Sequence, residues 1–143
     1  MAFKFQNILN QRKAALDKKY LELSEAQKVA AALNLKIFDV QNSVSSFKKS
    51  YPADILNISD IHDYNILDLR FKSLNYKLND LLKAKESAER ELENKKYLVI
   101  KAKMEYEKID KLKEKYLATD KVSELKREEA IADDFASNRF VRR

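Results

Sequence analysis

The chain contains no glycine, and its single proline is at position 52. A chain of 143 residues with average usage would carry about ten glycines. Sheet proteins of this size need several tight turns, which draw on Gly, Pro and Asn-Gly. Phosphate-cradling loops and dinucleotide fingerprints need glycine for close backbone approach or positive φ. Neither can be built here. What such a chain can build is long, uninterrupted helix.

The one strong break is the stretch KSYPADILNISDIHD, from Lys49 to Asp63. Proline inside a helix removes a hydrogen bond and pushes the residue before it out of the α region. Asp54, Asn57, Ser59, Asp60 and Asp63 are turn or N-cap types. We expect a single all-α domain over residues 1–143. Its first helix spans about 3–50, its turn about 51–62 and its second helix about 63–138.

The apolar spacing shows what the helices do. Steps of seven from Leu9 read Leu16, Leu23, Ala30, Ile37, Val44 and Tyr51, all apolar or aromatic. The companion series is Phe5, Arg12, Lys19, Ala26, Leu33, Val40 and Phe47. Interleaved, they give the 4-3 spacing of a coiled-coil seam. The second helix carries a matching stripe from Tyr64, Leu67, Phe71, Leu74 and Leu78 through Leu81, Lys85, Ala88, Leu92, Lys95, Val99, Ala102 and Tyr106 to Ile109. A straight helix drifts ~20° per heptad against such a repeat, so its persistence implies a partner helix.

The helices would be ~70 Å and ~115 Å long at 1.5 Å per residue. The expected fold is an antiparallel coiled-coil hairpin with a C-terminal helical overhang. A turn centred near residue 55 pairs positions whose numbers sum to roughly 110, so the overhang begins near residue 110. The same register places Lys19 near Glu91, Lys85 near Glu25, and Lys95 near Asp17. After Tyr116 the stripe weakens, although Val122, Leu125, Ile131 and Phe135 continue an apolar face.

Composition excludes most chemistry. There is no cysteine and one histidine, so no disulfide framework, thiol nucleophile or His-rich zinc site is available. His62 lies between Asp60 and Asp63, where carboxylates cap free N–H groups at a helix start. Glu128, Glu129, Asp133 and Asp134 lack the Glu-x-x-His of helical carboxylate metal sites. We expect no enzymatic activity, no metal, no cofactor and no small-molecule substrate.

The first twenty residues have no apolar core of signal-peptide length. The longest apolar run, Val29 to Leu33, is far short of the ~20 residues that span a bilayer. A cytoplasmic protein is expected. Lys+Arg exceeds Asp+Glu by 29 to 23, and the surplus falls mostly on residues 1–50. Nucleic-acid binding is one reading of that bias. The aromatics, however, fall on the seam rather than between the basic residues, where bases could stack. A generic coiled-coil adaptor is the other alternative.

Specific residues resemble a known family. Phe3-Lys4-Phe5, Leu9 and Arg12 are similar to the amino-terminal signature of the flagellar export protein family FliJ, which has relatives in the YscO group of virulence secretion. Ile61-His62-Asp63-Tyr64, with Leu67, Phe71 and Leu74, resembles the start of that family's second helix. Glu128-Glu129, then Asp133-Asp134-Phe135-Ala136 and Arg139, resembles its Asp-Glu-x-Ala-x-x-Arg ending, with Asp134 in place of Glu. The resemblance implies a non-enzymatic part of the type III export apparatus, peripherally associated with the inner membrane through its partners. Those partners would be the export ATPase ring, the cytoplasmic domain of the export gate, and export chaperones. It implies a gate-contacting surface at the turn end, offered here by Val44, Phe47, Tyr51, Leu67, Phe71, Leu74 and Leu78. The stalk-like ATPase surface would use Phe3, Phe5 and Arg12 near one terminus, and Arg127, Asp133, Phe135 and Arg139 near the other.

Overall fold

The computed structural model describes residues 3–141, with the backbone alone at 140 and 141. Two helices account for nearly all of it: α1, Gln6–Leu56, and α2, Ile61–Val141. They pack against each other as an all-α hairpin. The chain divides into two compact units, and both helices contribute to each. One holds the described residues of Met1–Lys18 and Ile100–Arg143; the other is Lys19–Val99.

The buried side chains follow the heptad stripe. In the Lys19–Val99 unit they are Ile37, Val40, Val44, Phe47 and Val99; in the other unit they are Leu9 and Leu16. All seven occupy seam positions, and among the described residues no polar or charged side chain is buried. Between Lys19 and Leu33 the seam is only half-buried; there Lys19, Ala26 and Ala30 on α1, and Lys85, Ala88 and Lys95 on α2, are interspersed with leucines. Small and charged side chains remove less apolar area from water, and stability follows area.

The expected stop at Pro52 does not occur. α1 runs through Pro52 and ends at Leu56. The ring removes one hydrogen bond, to the Lys48 carbonyl, at a cost of about 3 kcal/mol. Against it stands the packing just before the proline: Tyr51 is half-buried, its ring 5.9 Å from that of Phe47 one turn earlier and beside Leu67 and Phe71 of α2. Pro52 and Lys48 are both exposed, on the side of the helix that water reaches. α1 then closes by tightening. The Asn57 N–H donates to the carbonyls of both Ala53 and Asp54, at 3.3 and 3.2 Å, a shared bond common at helix ends. No described residue has positive φ, so α1 ends without the left-handed cap that glycine commonly supplies.

α2 starts on the cap that the sequence indicates. The Asp63 N–H donates to Asp60 Oδ1 at 3.0 Å, and the Ser59 hydroxyl donates to Asp63 Oδ2 at 3.3 Å. Replacing such a cap by alanine typically costs ~1 kcal/mol. Asp60→Ala is therefore expected to lower the unfolding free energy by that amount, read as a lower urea midpoint at unchanged slope, while Asp60→Asn largely preserves it.

The later end of α1 moves the register. Within the Lys19–Val99 unit, Phe47 stacks on Phe71 at 5.4 Å and Lys95 Nζ meets Glu22 at 3.4 Å. Within the other unit, Arg12 meets Glu105 at 3.4 Å and Phe3 packs on Tyr116 at 5.5 Å. The residue numbers of these pairs add to between 117 and 119, not 110. The expected partners are corrected accordingly. Lys19 pairs with Glu22 rather than Glu91. Lys85 approaches Glu89 rather than Glu25. Lys95 reaches Glu22 and Glu91 rather than Asp17. The free part of α2 accordingly begins near residue 121 instead of 110.

Glu22 collects two lysines, one from each helix. The hydrogen bond from Lys19 holds its carboxyl below the ordinary 4.5; burial opposes this, and Lys95 adds to it. Lys95 is raised above 10.5, chiefly by its hydrogen bond to Glu22. A depressed carboxyl contributes stability above its unfolded value and loses it as pH falls through the folded one; a raised ammonium does the reverse at high pH. Glu22→Gln is thus expected to flatten stability below pH 4.5 and above pH 10.5. Urea midpoints measured across pH for the two proteins check this.

Candidate docking surfaces at the turn and the termini

Near the turn, the seam opens into a groove of about 350 Å³ lined by Phe47, Lys48, Tyr51, Tyr64, Leu67, Asp68 and Phe71. Its floor is the aromatic set Phe47, Tyr51 and Phe71, with Phe47 and Phe71 tilted only 26° from parallel. Its polar edge is fixed by Asp68, which pairs with Lys72 one turn on at 2.9 Å. The hydrogen bond to Asp68 holds the Lys72 ammonium above its usual range. The groove is apolar, open on one side and bordered by one cation and one anion. That suits an amphipathic helix or an aromatic anchor.

Of the residues that the resemblance places at this end, Val44 and Phe47 are buried in the seam. Tyr51, Leu67, Phe71, Leu74 and Leu78 are half-buried. Tyr51, Leu67 and Phe71, with Phe47, come together in the groove; Val44, Leu74 and Leu78 do not line it. Tyr64 does, although heptad spacing places it only on the seam. Its place at the first turn of α2, where facing side chains run out, is the signal that it is accessible.

Around the start of α1 is a second cleft, of about 440 Å³, lined by Phe3, Lys4, Phe5, Leu112, Lys115, Tyr116 and Thr119. Phe3 sits edge-on to Phe5 at 5.8 Å and against Tyr116 at 5.5 Å. Lys4 Nζ lies 5.9 Å from the Phe5 ring centre, within cation–π range. Phe3 and Arg12 thus fasten the beginning of the chain to α2, the latter through Glu105. Tyr116, which marks the end of the heptad stripe, is the residue that receives Phe3.

Beyond Asp120, α2 continues as an exposed arm. Every residue from 121 to 139 is exposed, including Arg127, Asp133, Phe135 and Arg139. The positions that continue the seam are Ser123, Arg127, Ala130 and Asp134, so the stripe facing α1 has ended. Large apolar side chains persist elsewhere on the arm, with Ile131 67% and Phe135 69% exposed.

An apolar groove in one unit, and an apolar cleft and a bare helical arm in the other, define the class: an all-α helical-hairpin protein with apolar surface left open. Among the described residues no helix is long and apolar enough to cross a membrane. The family model for the flagellar FliJ protein matches residues 1–143, and the chain belongs to the FliJ family. It is a component of the flagellar protein export apparatus, in a family of non-catalytic parts. No curated protein and no solved structure matches it.

Proposed function

We propose that the protein acts as a central-stalk-like element of the export ATPase, with the arm of α2 entering the ATPase ring and promoting its assembly and turnover. The observation that carries this reading is the arm itself. Nineteen consecutive helical residues, 121–139, are exposed, and most helical stability comes from burying an apolar face. A ring pore supplies such a burial. Arg127, Asp133, Phe135 and Arg139 would make the contacts. Phe5 would extend the surface, while Phe3 and Arg12 position the base of the arm.

The groove at the turn end is the proposed surface for the cytoplasmic domain of the export gate, through Tyr51, Leu67 and Phe71 with Tyr64. Export chaperones would be further partners. Engagement with the gate would hold the protein peripherally at the inner membrane.

The test is to mix the purified protein with its cognate export ATPase, then measure hydrolysis and hexamer formation. Stimulation of both, with co-elution, is expected. No change in either, with no co-elution, removes the stalk reading.

A further inference from the structure

The exposed arm carries its charge in two blocks. Residues 121–127 hold Lys121, Lys126 and Arg127 against Glu124. Residues 128–134 hold Glu128, Glu129, Asp133 and Asp134, with no cation. Like charges four apart, at Glu124 and Glu128 and again at Glu129 and Asp133, repel along the helix. Among the described residues none of these side chains is in an ion pair, including the five acids and three bases. Large apolar side chains are exposed along the arm as well: Val122 and Leu125 in the basic block, Ile131 in the acidic one and Phe135 just past it.

We propose that the arms of two copies of this chain pair antiparallel about a two-fold axis near residues 127 and 128. That arrangement sets the basic block of each arm against the acidic block of the other. A parallel pairing would oppose like blocks and is disfavoured. Because the two-fold makes the interface self-complementary, one surface serves both partners. The contact is short, at the small end of specific interfaces, so the dimer forms reversibly with concentration and weakens with salt. It covers the arm and is a reserve form from which the monomer is drawn. The proposal does not depend on the stalk reading.

Sedimentation equilibrium of the full chain tests it, with circular dichroism to show that each variant is folded. The wild type is expected to pass from one chain to two as concentration rises. The acidic-block variant (Glu128→Lys, Glu129→Lys, Asp133→Lys, Asp134→Lys) and the basic-block variant (Lys121→Glu, Lys126→Glu, Arg127→Glu) should each associate at least about tenfold more weakly. An equimolar mixture of the two should form a heterodimer. The proposal is overturned if the wild type stays monomeric, if either variant self-associates like the wild type, or if the mixture does not combine. No ATPase is present, so these outcomes are independent of the stalk test.

Discussion

Ile37→Asp is expected to destabilise the hairpin by at least about 3 kcal/mol, while the same change one residue on, Phe38→Asp, should alter stability by no more than about 0.5 kcal/mol. Ile37 is 5% exposed and Phe38 59%. Ile37 belongs to the best-buried stretch of α1, with Val40, Val44 and Phe47. A carboxylate there has no partner and loses its hydration. Phe38 already faces water, and an aspartate keeps doing so. Urea unfolding followed by circular dichroism separates the two. Similar midpoints for the two variants would mean that the heptad seam is not what holds the helices together.

Ending the chain after Asp120 should abolish stimulation of the export ATPase and leave the rest of the hairpin as stable as before, within about 0.5 kcal/mol. Residues 121–139 are exposed and their removal takes away no buried contact. Phe3, Phe5, Leu112 and Tyr116, which close the cleft beside the arm, all remain. The helical signal falls only in proportion to the residues lost. A marked drop in melting temperature would show that the arm packs on the body. Retained stimulation would place the ATPase contact elsewhere.

Much of the fold was legible because heptad spacing is a strong constraint. Leu9, Leu16, Ile37, Val40, Val44, Phe47 and Val99 all fall on the heptad stripe, and all are buried. The partners across the seam were not legible, for a physical reason. A seven-residue repeat tells which face of each helix is apolar, but a slide of seven keeps the same faces in contact. Only the turn sets which heptad meets which. Local propensity puts the stop before Pro52, whereas α1 continues to Leu56, with Tyr51 set beside Tyr64, Leu67 and Phe71 of α2. That moves the turn centre by about half a heptad and the pairing by a whole one, so that Lys95 finds Glu22 in place of Asp17.

The docking surfaces were legible in part. The arm followed from unequal helix lengths, although its start lies some ten residues later than a turn at residue 55 implies. At the turn end, type alone could not separate Phe47, which is buried, from Tyr51, which borders a groove. Aromatic residues serve seam and surface equally, and accessibility there depends on where the facing helix runs out. The cleft around Phe3 and Tyr116 depended on the corrected register, and no local pattern announces it.

Hydrogen exchange along the chain, read at protein concentrations too low for self-association, tests the central claim most directly. In the free protein, amides from 121 to 139 should exchange orders of magnitude faster than those around Ile37 to Phe47, and adding the export ATPase hexamer should slow the arm selectively. An arm already as protected as the seam, or one left unchanged by the hexamer, would contradict the account.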